Sequence, residues 1–188
     1  MKVSAQLDRR FRTAALADGL LDVAYELADT PLGSLLLART ERGLCRIAYD
    51  PDPDRDAEVL ARTFGRRVLR TPGALDAARR QLDDYFEGRR RDFELPLDLA
   101  LARDFSRDVL LELAQVPYGE VTTYGALAAS AGRPRAARAV GMVMNRNPIP
   151  IVLPCHRVVG ASGSLVGYGG GLERKQALLR LEGAATAA

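Results

Sequence analysis

Apolar and polar positions change rhythm along this chain, and each rhythm predicts an element. Residues 22–49 hold short apolar runs, Asp22 to Ala28, Ser34 to Ala38 and Leu44 to Tyr49, broken by Pro31-Leu32-Gly33 and Glu41-Arg42-Gly43. Runs of that length between Gly- and Pro-containing breaks predict strands joined by tight turns. Pro51-Asp52-Pro53-Asp54 predicts a turn, with Asp54 or Asp56 capping a helix through about Phe64. Over 74–87, Leu75, Ala78, Leu82, Tyr85 and Phe86 recur at helical spacing, and Gly88 closes that helix. An Arg-rich turn and an extended stretch through Pro96 follow, so a domain boundary is expected between 88 and 102.

The second part opens with a predicted helix over 103–115 whose apolar face is Phe105, Val109, Leu110 and Leu113, ended by Pro117-Tyr118-Gly119. Thr122 or Thr123 then caps a short helix through Ser130, and Gly132 makes a turn. Pro134 is placed in the first turn of another helix reaching Asn145. Helix, short Gly-containing turn, helix is the helix-turn-helix pattern, although many packed helix pairs share it. The apolar run Ile149 to Leu153 predicts a buried strand stopped by Pro154. The Ala-rich stretch 184–188 is expected to fray.

Composition narrows the class. The 188 residues, 47% apolar and 27% charged, suit one domain or two small ones with an ordinary core. The net charge of +3 is unevenly spread: Val116 to Gly183 carries eight cations and three anions, and the remainder is slightly acidic. A basic C-terminal part points to a polyanionic partner. With two cysteines, Cys45 and Cys155, and one histidine, His156, neither a disulfide framework nor a multi-ligand Cys/His zinc site is expected. No apolar run approaches the roughly 20 residues of a membrane span. Charged residues interrupt the first twenty positions, so a cytoplasmic protein with reduced thiols and no membrane contact is expected.

The chemistry concentrates at Pro154-Cys155-His156-Arg157. A cysteine there is either a small apolar filler or a nucleophile, and the sole histidine and an arginine directly after it favour the nucleophile, since such neighbours lower a thiol pKa. Cys45, on a predicted strand without such neighbours, reads as filler. In a regular strand adjacent side chains point to opposite faces, so Cys155 and His156 communicate only through an irregular backbone or a water. Thiol proteases draw Cys and His from distant segments, and zinc base deaminases need a second Cys where this chain has Val158; both are discarded. In the preceding helix, Ala137 and Gly141 share a face beside Arg138, which suits either tight helix packing or entry into a narrow groove.

Pro154 to Val159 resembles the active-site motif of the O6-alkylguanine-DNA alkyltransferases (methylated-DNA–protein-cysteine methyltransferases). The similarity extends over Val116-Pro117-Tyr118-Gly119-Glu120-Val121, Tyr124, Ala136 to Gly141, Asn147-Pro148 to Gly171-Leu172 and Leu178 to Gly183, and more loosely over the Leu44 to Ile47 strand. About 150 residues match in order and spacing. The resemblance implies an α/β N-terminal domain with an RNase H-like sheet over residues 20–90. A mainly α C-terminal domain with a helix-turn-helix, which binds DNA and carries the catalysis, would cover 100–183.

The implied activity is direct-reversal DNA repair. The alkyl group of O6-alkylguanine, and of O4-alkylthymine, in double-stranded DNA would pass irreversibly to Cys155 in a single turnover, with base flipping and no cofactor. His156 would be the base through a water, Glu182 its orienting carboxylate, and Tyr124 the proton donor to the leaving guanine. Arg138 would replace the flipped nucleotide while Ala137 and Gly141 let the helix enter the minor groove, with Arg135 on the same DNA-binding side. Asn147 would brace the active-site turn, and the carbonyls of Cys155 and Val158 would receive the guanine amino group. Met144, Tyr168 and Gly169 would line the pocket, with Gly169 replacing a serine of many relatives. Lys175 matches a pocket lysine, or lies solvated on the last helix. No metal, sensor domain or obligatory protein partner is implied. Non-catalytic relatives commonly put Trp at the nucleophile position, and this chain has Cys and no Trp. A helix-turn-helix regulator with Cys155 as redox sensor would instead bind a specific sequence and respond to peroxide.

Overall fold

The computed structural model describes residues 4–185, so positions 186–188 of the stretch expected to fray lie outside the described residues. Two compact units emerge. One runs through Asp84 and takes back Glu94–Leu101; the other comprises Tyr85–Phe93 and the chain from Ala102 onward.

The first unit is built on a four-stranded sheet. Strands β1 (Val23–Thr30), β2 (Gly33–Thr40) and β3 (Gly43–Tyr49) form an antiparallel meander, and β4 (Val68–Arg70) pairs in parallel with β1, giving the order β3-β2-β1-β4. Leu35, Leu36, Leu37 and Ala38 in the central β2 are all fully buried, as expected of a strand covered on both faces. Helix α2 (Pro53–Phe64) adds Leu60 and Phe64 to the cluster of Val23, Leu36, Ala38 and Cys45. Burial pushes the Cys45 thiol up to about 12, and it donates to the Ala38 carbonyl, which makes it a filler. Gly43 is required by close approach: a Cβ there would lie 2.1 Å from the Pro96 carbonyl oxygen.

The cap of α2 differs from expectation. Asp52 accepts the Arg55 amide, while Asp56 turns inward, pairs with Arg46 at 2.6 Å and accepts the Asp52 amide. Pro53 at the first helical position moves the cap back to Asp52. Two elements were absent from the sequence reading: α1 (Ala5–Ala17), capped by Ser4, and the three-residue β4.

Helix α3 (Asp76–Phe86) ends at Gly88, and its last residues, Tyr85 and Phe86, belong to the second unit. That unit contains α4 (Phe105–Leu113), α5 (Tyr124–Ser130), α6 (Ala137–Asn145) and α7 (Leu172–Leu181). Helix α4 buries Val109, Leu110 and Leu113. Helix α5 is capped by Thr123 and ends in a Schellman motif: Gly132, at φ 71°, donates to Ala129, and Arg133 donates to Ala128. Pro134 does not enter α6. It occupies the second position of a turn closed by the Ala136 amide on the Arg133 carbonyl, where its fixed φ fits, so α6 begins three residues later. Among the described residues no helix is long and apolar enough to cross a membrane.

Candidate functional site

The turn after α6 is built by side chains where a ladder lapses. The run Ile149 to Leu153 is buried as expected, but it is a tight turn and not a strand. Ile151 adopts φ 77°, and the Leu153 amide donates back to the Ile149 carbonyl. Prolines at 148, 150 and 154 remove the amides a strand would need. Asn147 supplies the missing partners: its Nδ2 donates to the Leu153 carbonyl at 2.8 Å, and its Oδ1 accepts from the Ile149 amide at 3.0 Å. Pro154, at φ −81° and ψ 63°, centres an inverse γ-turn closed by the Cys155 amide on the Leu153 carbonyl. Cys155, His156 and Arg157 then form one turn of 3-10 helix, so the adjacent Cys and His stand on irregular backbone.

Two residues of strand tie this turn to the helix pair. Strand β6 (Val158–Val159) runs parallel to β5 (Thr122–Thr123), with Thr122 opposite Val158 and Thr123 opposite Val159. Because Thr123 also caps α5, the same ladder sets Tyr124 at the start of that helix. Tyr124 packs beside Gly141, where a Cβ would lie 3.9 Å from its ring, and its hydroxyl donates to the Val166 carbonyl at 3.4 Å. Burial and the facing Cys155 charge raise its pKa, keeping the phenol a donor.

Cys155 is buried. Burial pushes its thiol up; hydrogen bonding from Asn147 and Tyr168 and the Lys175 ammonium pull the other way without prevailing. The sequence reading had Arg157 among the neighbours that lower this pKa. Arg157 instead turns to Glu182, and Lys175 is the cation that Cys155 feels. The resting group is a protonated thiol that needs a base to become a nucleophile.

His156 and Glu182 form a buried pair. His156 is fully buried, with Nε2 3.0 Å from Glu182 Oε1. Burial lowers the imidazole pKa, the Glu182 hydrogen bond and charge oppose this, and the Arg157 and Lys175 charges add to the lowering. A neutral imidazole facing a carboxylate that can only accept must carry its proton on Nε2, which leaves the Nδ1 lone pair free to accept. Nδ1 is buried and takes no hydrogen bond from the protein.

Glu182 caps α7, fixed by a second Schellman motif through Gly183 at φ 67°. Its Oε1 accepts from Tyr85 Oη at 2.7 Å, Arg157 Nη2 at 2.8 Å and His156 Nε2, and its Oε2 from Arg157 Nε at 2.9 Å and the Gly119 amide at 3.2 Å. Burial pushes the carboxyl up, but hydrogen bonds from His156, Arg157 and Tyr85 and the His156 charge hold it near 2. Arg157 also donates to the Val116 carbonyl and lies 5.8 Å over the Tyr118 ring. Arg157 and Tyr85 are the partners sequence reasoning missed. In the sequence Arg157 shows only as a neighbour of the thiol, and Tyr85 as one more apolar position on its helix.

Lys175 is not solvated. It is fully buried, and its Nζ donates to the carbonyls of Val158 at 2.6 Å and Val166 at 3.0 Å. The Cys155 carbonyl accepts the Val158 amide. A Cβ at Gly169 would sit 3.2 Å from the Asn145 carbonyl oxygen, a contact tighter than ordinary. Met144 lies on the buried face of α6 with Val140 and Val143. On that helix Arg138 is exposed and Ala137 is its first residue, while Arg135 stands exposed in the preceding turn. The structure thus gathers Cys155, Asn147, Tyr168 and Lys175 at one group and His156, Glu182, Arg157 and Tyr85 at another. Arg135 and Arg138 stand apart, on the exposed side of the helix pair. Among the described residues no group of three or more His, Cys, Asp or Glu is placed to hold a metal ion.

Comparison with known proteins adds the lineage. Residues 23–99 match the model of the 6-O-methylguanine DNA methyltransferase ribonuclease-like domain, and residues 104–184 match that family's DNA-binding domain. The chain is 53% identical over 157 residues to the methylated-DNA–protein-cysteine methyltransferase of Mycobacterium leprae, covering 82% of this chain and 88% of that one. To the enzyme of the same name from Methanosarcina barkeri it is 41% identical, covering 84% of this chain and 96% of that one. It resembles Mycobacterium tuberculosis OGT, crystallised in complex with DNA, with a TM-score of 0.75 and 42% identity over 85% of this chain and 92% of that one.

Proposed function

This chain belongs to the methylated-DNA–protein-cysteine methyltransferase family, and from that premise we propose how its own residues carry the reaction. It is a DNA-repair methyltransferase that binds DNA and takes the alkyl group onto a cysteine of its own. We assign binding and catalysis to residues 100–183, the acceptor role to Cys155, and the O6-alkyl group of guanine as substrate, with O4-alkylthymine as a second one. We place the activity in the cytoplasm, where thiols stay reduced.

The observation that supports this reading is a buried, neutral imidazole at the residue after Cys155, its proton fixed on Nε2 by the ionised Glu182 and its Nδ1 left without a protein partner. His156 Nδ1 takes the Cys155 proton through a water. The thiolate sulfur attacks the alkyl carbon as the carbon–O6 bond breaks, and the bonding electrons leave with the guanine. Tyr124 donates a proton to the departing base, and Lys175 and Asn147 hold the turn that aims the sulfur. Attack at saturated carbon favours a soft nucleophile, which sulfur provides. The thioether product has no second nucleophile to remove it, so the protein acts once.

On the DNA side, Arg138 stacks in the space a flipped nucleotide leaves, and Ala137 and Gly141 let α6 approach the minor groove. The test is intact-mass analysis after incubation with a duplex containing O6-methylguanine, followed by peptide mapping. One methyl per chain on Cys155, none on Cys45, and none in Cys155→Ser is the expected result. Turnover beyond one equivalent, or an unchanged mass with tight binding, overturns the reading.

A further inference from the structure

Tyr85 is a side-chain donor to Glu182 that the reaction as drawn does not use. Its ring is fully buried, edge-on to Phe86 and Tyr118 and tilted against Phe93, with centroids 5.3 to 6.1 Å apart. In an aromatic box of that kind a phenol is worse than a phenyl ring unless its hydroxyl finds a partner. The partner is Glu182 Oε1 at 2.7 Å, the shortest of the three hydrogen bonds on that atom; the one to His156 is the longest.

We propose that Tyr85 is a positioning residue for alkyl transfer: by donating to Glu182 Oε1 it shares the carboxylate's charge and thereby keeps His156 a free base near neutral pH. This rests on His156 acting as the base. The physical argument is competition on one oxygen. A carboxylate facing an imidazole alone stabilises the imidazolium and raises the pH at which it forms. Here Arg157 forks onto both oxygens, Gly119 and Tyr85 fill the remaining sites, and little charge is left for His156. Burial and the facing Glu182 charge push the Tyr85 phenol up, so it remains a donor. The groups that face this cluster are His156 and Arg157 from the 3-10 turn, Lys175 and Glu182 from α7, Tyr85 from α3 and Tyr118 from the loop before β5. Arg91 lies 5.5 Å over the Tyr118 ring. Of these, Tyr85 can lose its donor while keeping its shape.

The experiment compares wild type with Tyr85→Phe in single-turnover transfer from about pH 5 to about pH 9, alongside an imidazole ¹⁵N NMR titration of His156. His156 is the only histidine in the chain, so its signals are unambiguous. The acid limb of the variant's rate profile and its His156 titration are both expected to move to higher pH by about half a unit, with the alkaline plateau within about twofold of wild type. A variant slowed equally at every pH, or curves that superimpose on wild type, overturns the proposal and leaves the assignment of His156 standing. A wild type with no acid limb, although His156 titrates, removes His156 as the base and this proposal with it. Should Tyr85→Phe fail to fold, the wild type still decides. A slowly exchanging, downfield phenol proton with a nuclear Overhauser contact to the His156 Nε2 proton is expected, and its absence overturns the hydrogen bond.

Discussion

The meander β1-β2-β3 and the turn from Asn147 to Val158 bury their backbone in opposite ways. In the meander, strands satisfy one another: the ladders pair Ala24 to Thr30 with Arg39 to Gly33, and the enclosed Leu35 to Ala38 run needs no polar help. The buried acids around it, Asp56 with Arg46 and Asp98 with Thr40, are capping and linking contacts, and within it Glu26 of β1 accepts the Gly73 amide. In the turn, prolines and a left-handed Ile151 prevent a ladder, so Asn147 and Lys175 bond the orphaned main chain. Where backbone does not satisfy backbone, polar side chains must be buried to do it. Those side chains, once inside, are available for chemistry.

The comparison can be broken most forcefully at Lys175. Lys175→Met keeps the stem but leaves the Val158 and Val166 carbonyls short of a donor and removes the cation near Cys155. We expect about 3–4 kcal/mol lost in urea unfolding and transfer at neutral pH slowed about tenfold or more. Leu36→Ala in β2 is the matching lesion in the sheet. A loss of about 3 kcal/mol with an unchanged transfer rate per folded molecule is expected, and a matching drop in that rate would show that the two regions are not separable.

Glu182→Gln sharpens the contrast through pH. The folded carboxyl sits near 2, below its ordinary 4.5, so its ionised form stabilises the fold above about pH 4.5, and that contribution fades as pH falls toward 2. The variant should be about 2–3 kcal/mol less stable at neutral pH and should show a flatter acid limb in stability, read by denaturant titrations across that window. At the small end, Arg62→Ala removes an exposed i,i+4 pair with Glu58 on α2 and should change the unfolding free energy, read by urea titration, by less than about 0.5 kcal/mol.

The same division explains what the sequence could tell. The three long strands of the meander are legible within a few residues because short apolar runs between turn residues encode ladders. The buried run Ile149 to Leu153 was legible as buried and illegible in shape, since burial is a property of side chains and the fold there depends on Asn147 from two residues before it. Lys175, matched to the family's pocket lysine, reads equally well as a solvated charge until Val158 and Val166 are known to aim carbonyls at it. Tyr85 lies 97 positions from Glu182, a separation at which no local pattern operates. Asn147 and Glu182 enter through the family motif, whereas His156 stands out as the sole histidine, directly after Cys155.

The three prolines and the Asn147 brace mean that the reacting sulfur is aimed while the polypeptide folds, before any lesion arrives. A nucleophile held on backbone that neighbouring side chains brace carries its aim in the sequence, so a substitution at Asn147 unsettles the reaction without touching the sulfur.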